Sequence, residues 1–331
     1  MKKNKYNLIL LFLFTFVMLF FVLKDDFDDI LHALLNIKYY YILLILFIIF
    51  VSDLIKALVL YNSCNVNKIK YKYLECLRLI IVSHFFDGIT PFASGGQAYQ
   101  ILKLKSKNIN YSRGIGLIFY NFTIFQFSFL ILCILSIVIN KIFKIFIIPA
   151  IFNKVLIIGL IINILMGVLL GAVFFKKKNN LNFIYKIIRF FVKIKIINQN
   201  KYDKLKRYID SVVNALSNIK KNWISIFKNI ILNILFLICF YSIPYFVFLS
   251  LGIHNINIFI SLLLYFHVVL ISTYVPMPGA VIGFEYAFLY LFGLYITGPI
   301  LKAGMLLWRF LTYYLLMIIG FILFLVNKKE V

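Results

Sequence analysis

Along the chain, apolar residues gather in runs at about 7–23, 40–60, 73–86, 114–139, 155–175, 226–251, 258–274, 284–297 and 300–326, with short polar or basic stretches between them. A helix that crosses a bilayer needs about 20 apolar residues. By that measure 7–23, 40–60, 114–139, 155–175, 226–251 and 300–326 predict six full spans. The runs 73–86 and 284–297 are too short, and each abuts a break rich in Gly and Pro: "FFDGITPFASGGQAYQ" (85–100) and "TYVPMPGAVIGFE" (273–285). Within hydrocarbon, irregular backbone is tolerated only where protein or a water-filled cavity covers its N–H and C=O groups. The pattern therefore predicts an all-α polytopic membrane protein, one domain over 1–331. Six spans and two re-entrant or broken helical hairpins, 73–104 and 258–297, give about eight segments.

The order of these elements repeats. Residues 40–139 give span, hairpin, span, and residues 226–326 give the same series with its direction reversed, an inverted repeat of the kind found in transporters. Pro91 precedes Gly96 by five residues, and Pro278 precedes Gly283 by five.

Composition supports the membrane reading and excludes an ordinary soluble fold: 63% of residues are hydrophobic and 14% charged. The formal net charge of +24 is explained by Lys and Arg gathering in cytoplasmic loops, not by nucleic-acid binding. With both termini cytoplasmic, most of the basic residues fall inside, and the outer loop "KDDFDD" holds Asp25, Asp26, Asp28 and Asp29. The first run follows a basic start and lacks a small-residue cleavage site, so it is expected to remain as a span. Residues 176–225 form a basic, amphipathic cytoplasmic segment. Lys186, Arg189 and Lys193 share one helical face, suited to the inner headgroup layer. Leu205, Tyr208, Val212, Leu216 and Ile219 make a second stripe. Fifty residues are too few for a catalytic domain of ordinary size.

Outside the loops, three acids remain: Asp53, Asp87 and Glu285, all within apolar runs or at the breaks. Ionisable groups at such depth usually face a polar interior and mark a pathway. Arg309, deep in the last run, calls for a partner, for which Glu285 is suited; Arg78 lies about one turn inside the cytoplasmic face and has the interface as an alternative. Asp53 has a local alternative partner in Lys56, three residues on. The helices restarting at Gln97 and near Phe284 would present N-terminal N–H groups that attract anions. A phospholipid phosphate is such an anion. The candidate binding residues are thus Asp53, Arg78, Asp87, Pro91, Gly95, Gly96, Gln97, Pro278, Gly279, Gly283, Glu285 and Arg309. His84 and His267 suit satisfied interior positions. The four cysteines have no metal-type spacing, and no nucleophile–base arrangement, P-loop or dinucleotide fingerprint stands out, so neither a metal nor a cofactor is expected.

Three stretches, "ITPFASGGQAYQILKLKSKNINYSRGIGLIFYNFTIFQ" (89–126), "PMPGAVIGFEYAFLYLFG" (276–293) and "LLWRFLTYYLLMIIG" (306–320), resemble the transmembrane domain of lysylphosphatidylglycerol synthases, a family that includes stand-alone flippase-like proteins of bacteria. The resemblance implies about eight membrane segments, a place in the bacterial cell membrane and movement of lipid between leaflets. In full-length synthases a soluble domain transfers lysine to phosphatidylglycerol, and exposing the product outside helps resist cationic antimicrobial peptides. Here the chain ends soon after the last run, so no transferase domain is expected. Ala280, Val281 and Ile282 are bulkier than the glycine- or serine-rich run of the family pattern, which makes the cavity floor less polar.

The leading expectation is a flippase-like carrier whose partners are membrane phospholipids, aminoacylated phosphatidylglycerol among them. The alternative is the membrane half of an aminoacyl-lipid synthase completed by a separate transferase. A third reading is a non-transporting scaffold anchored by 176–225.

Overall fold

A computed structural model describes residues 26–90, 93–107, 109–175, 182–194, 198–216, 222–272 and 281–328. Helices in chain order are α1 (Phe27–Leu35), α2 (Tyr39–Val66), α3 (Tyr73–Gly88), α4 (Gly95–Ser106), α5 (Tyr111–Phe143), α6 (Ala150–Phe175), α7 (Asn182–Lys193), α8 (Gln199–Leu216), α9 (Trp223–Tyr241), α10 (Ile243–Ser250), α11 (Ile258–Ser272), α12 (Val281–Phe292), α13 (Pro299–Arg309) and α14 (Leu315–Lys328), with a π-helical turn, Phe310–Tyr314, joining the last two. The molecule is an all-α, polytopic membrane protein. Among the described residues, five helical stretches are long and apolar enough to cross a bilayer: Tyr39–Val66, Tyr111–Phe143, Phe152–Phe174, Trp223–Ser250 and Pro299–Val326. They coincide with five of the six expected spans. The first expected span, 7–23, lies outside the described residues, as do Pro91, Pro278 and Gly279.

Local chemistry sets the helix ends. Asn110 and Asn222 accept hydrogen bonds from Ser112 N and Ser225 N, capping α5 and α9. Glu75 accepts from Lys72 N at 2.8 Å and closes the start of α3. The span Trp223–Ser250 breaks at Ser242, and Pro244 opens the continuation, because its ring forbids an uninterrupted ladder.

The two short runs are broken hairpins in which α3 packs on α4 and α11 packs on α12. Packing between halves is reciprocal. The first limb of each hairpin lies against the last long helix of the other half, α3 on α14 and α11 on α5, while α2 packs on α9. In lipid, helices associate through close van der Waals fit at small residues and through hydrogen bonds. Both occur here. A Cβ on Gly320 would come within 2.6 Å of Ile81 O, and one on Gly88 within 2.9 Å of Met317 Sδ. Ser136 Oγ donates to Leu263 O at 3.2 Å across the α5–α11 contact. The opposite face of α6 exposes Ile158, Ile161, Leu165 and Val168, as a lipid-facing helix would.

The segment after α6 forms two helices. Among the described side chains of α8, Tyr202, Val213 and Leu216 are buried, and the helix packs on α5 and α7, whereas Leu205 and Tyr208 are exposed. The expected stripe is therefore split. Leu216 belongs to the core, and Leu205 and Tyr208 lie on the outer face because α8 is held by the bundle along a rotated face. Ile219 falls outside the described residues.

Candidate functional site

Two cavities, of about 320 and 610 Å³, lie among the helices beside the first break. Asp87, Ala93, Phe125 and Gln126 border both, so the cavities share a wall at the first break. Ala93 has φ +47°, a left-handed conformation costly for a residue with a Cβ, and it is held there beside the cavities.

Asp87 reaches back across the break. Its Oδ1 accepts from Gly96 N at 2.8 Å, nine residues on, and Thr90 Oγ1 accepts from Gly95 N at 2.8 Å. The first N–H groups of α4, expected to wait for an external anion, are thus capped by the protein's own side chains. Gly96 is required for this approach, since a Cβ there would lie 2.6 Å from Asp87 Oδ2 and 2.7 Å from Ser83 Cβ. Gln97 borders the larger cavity.

Asp53 is 6% exposed and bonds His84 Nε2 at 2.9 Å, not Lys56. The reason is rotational: three residues on, Lys56 turns toward the larger cavity, with Nζ 4.3 Å from the centre of the Phe236 ring, while His84 comes across from α3. In the other half, Arg309 Nε meets Glu285 Oε1 at 2.8 Å, with Glu285 2% and Arg309 6% exposed. The guanidinium carbon lies 4.2 Å from the Tyr313 ring centre, 5.7 Å from that of Phe284 and 5.8 Å from that of Trp308, an aromatic enclosure for a planar cation. Arg309 stands where α13 passes into the π turn, a distortion common at functional sites. Tyr313 OH, in that turn, donates to Gly88 O at 2.8 Å and ties the last helix to the first break.

One asymmetry recurs. In both buried pairs the nitrogen-bearing partner, His84 or Arg309, borders the smaller cavity, and the carboxylate stands behind it. Of the other residues expected at the site, Gly283 accepts from Ser272 Oγ at 3.1 Å and joins the two sides of the second break. Arg78 is exposed on α3 and borders neither cavity, because the opposite face of that helix, with Cys76, Leu79, Val82 and Ser83, turns inward. His267 is buried, its Nδ1 2.7 Å from Leu263 O.

Sequence reasoning missed the carboxamides. Asn121, Gln126 and Asn233 border the larger cavity beside Lys56, Gln97 and Gln100. Behind them, Ser63 Oγ donates to Asn121 Oδ1 at 2.6 Å, and Asn229 Nδ2 donates to Ser63 Oγ and Tyr120 OH, each at 3.1 Å. Their signal was available: Asn163, Asn229 and Asn233 are amides in the middle of apolar runs, where an unpaired polar group is costly.

No match was found among curated proteins. A family model described as the lysylphosphatidylglycerol synthase TM region matches residues 7–320, nearly the whole chain. With its long apolar helices and broken hairpins, this multi-pass membrane protein belongs to the lysylphosphatidylglycerol synthase transmembrane-region family.

Proposed function

We propose that the protein is a flippase-like carrier that moves phospholipid between leaflets. The observation that carries this reading is the asymmetry of the two buried pairs: His84 and Arg309 face one cavity with their carboxylates behind them, which suits a lipid phosphate. The cavity walls are otherwise mostly apolar, so acyl chains can stay in the bilayer while the head group is held inside. The repeated element order and the reciprocal packing of α3 on α14 and α11 on α5 support two oppositely oriented halves that rock about this site. In this reading both termini face the cytoplasm, the site comprises Asp53, Asp87, Gly95, Gly96, Gln97, Glu285 and Arg309, and Arg78 serves the interface instead.

The test is translocation of labelled phospholipid in proteoliposomes. Arg309→Ala and Glu285→Gln are expected to abolish it while membrane insertion persists; wild-type rates in both variants would remove the site assignment. The family description favours a second reading, the membrane part of a phosphatidylglycerol lysyltransferase system completed by a separate transferase. Lipid extracts that contain lysylphosphatidylglycerol only when the protein is present would support it.

A further inference from the structure

The larger cavity differs in chemistry from the smaller one. Carboxamides reach it from three helices: Gln97 and Gln100 from α4, Asn121 and Gln126 from α5, and Asn233 from α9. Most are anchored at one end. Gln100 Nε2 donates to Ser83 Oγ at 2.8 Å, Gln126 Nε2 to Asn163 Oδ1 at 2.8 Å, Asn233 Nδ2 to Asn229 O at 2.8 Å, and Asn121 Oδ1 accepts from Ser63. Whichever way round each amide is read, one end is spent on the protein, and the other has no hydrogen-bond partner among the described residues. The Gln97 carboxamide has none at either end there. Amides fixed in this way offer alternating donors and acceptors to a ligand, and Phe122 and Phe125 add apolar ring surface beside them.

Such a wall suits vicinal hydroxyls, each of which donates and accepts. It does not suit an ammonium group, which needs an available carboxylate. Asp53 is paired with His84 and Glu285 with Arg309, while Asp87, the carboxylate on this wall, accepts from the Gly96 N–H through Oδ1 and shares the wall with Lys56, whose ammonium offsets its charge. Five carboxamides also exceed what the two hydroxyls of a glycerol head group can engage. We infer that the larger cavity is a polyol subsite, and that the lipid carried is a phosphodiester bearing a sugar or cyclic polyol, its phosphate toward His84 and Arg309 and its hydroxyls among Gln97, Gln100, Asn121, Gln126 and Asn233.

The inference rests on the carrier reading and is tested with it, but separably. Proteoliposomes are loaded in parallel with labelled phosphatidylinositol, a prenyl phosphoglucose, phosphatidylglycerol and lysylphosphatidylglycerol. The first two probes separate a diacylglycerol-based source of the polyol from a prenyl-based one. At least one of them is expected to move about tenfold faster than either of the last two. Gln97→Leu, at a half-buried position on the cavity wall, is expected to lower that rate roughly three- to tenfold and to narrow its lead over phosphatidylglycerol. Gln100→Leu repeats the test on the next turn. Fastest movement of lysylphosphatidylglycerol or phosphatidylglycerol overturns the polyol subsite while the carrier stands. If nothing moves, the carrier reading fails, and lipid retention in native mass spectrometry decides the subsite. Preferential retention of a polyol lipid, lost in Gln97→Leu, upholds it, and equal retention of all four overturns it.

Discussion

The two breaks in the fold are built in different ways. At the first, a carboxylate and a hydroxyl of the preceding limb cap the helix that follows, and the neighbouring ion pair, Asp53–His84, carries a cation only when the imidazole is protonated. In the second half the charge is permanent: Arg309 is held between Glu285 and three aromatic rings, on a helix whose ladder widens immediately afterwards. The first half thus supplies most of a polar, amide-rich wall held by many modest bonds, with Asn233 added from α9. The second supplies one strong fixed charge. A deletion should therefore hurt the second half more than the first.

The largest effect tests that directly. Arg309→Ala strands the Glu285 carboxylate in a buried site and is expected to cost about 3–5 kcal/mol, read as a fall in the thermal midpoint of detergent-solubilised protein. Removing both charges in Glu285→Gln/Arg309→Met should recover most of the midpoint without recovering translocation. Next, His84→Leu removes the partner of Asp53 and should cost about 1–3 kcal/mol. A loss as large as that of Arg309→Ala would erase the difference between the halves. Gly96→Ala pushes a methyl group against Asp87 and Ser83, and overpacking of this kind costs about 1–3 kcal/mol. Its measured effect on translocation then tells whether the first break is more than a structural turn.

The smallest effect lies at the surface and serves as a baseline. Glu75 pairs with Lys107 and accepts from the Lys72 backbone. Burial raises its carboxyl, but these partners together outweigh burial and hold it below the usual range. Because the folded value is depressed, the contribution is present above the ordinary carboxylate pKa and lost as acid takes the solution through the folded value. Glu75→Gln should thus lower stability by less than about 1 kcal/mol near neutral pH and by nothing once Glu75 itself is protonated, as paired melting curves would reveal.

Much of this architecture was legible in the chain. Span lengths follow from apolar run lengths, the breaks from Pro and Gly, and the Glu285–Arg309 pair from the scarcity of deep charges. What escaped was tertiary. Lys56 is the near neighbour of Asp53 in sequence, yet the partner is His84, 31 residues away on another helix. Asp87 looked like a charge awaiting a ligand and proved to be a cap across nine residues. The amide wall escaped because no periodicity announces residues that meet only when α4, α5 and α9 assemble, and because Asn is plentiful throughout this chain.

The tie between Asp26 and Lys302 has a consequence for biogenesis. Its ends are 276 residues apart, and α1 packs against α13. A ribosome delivers α1 long before its docking surface exists, so that helix must wait, unpartnered, through nearly all of translation. Assembly of this protein cannot finish one hairpin at a time; its first described helix is among the last to find its place.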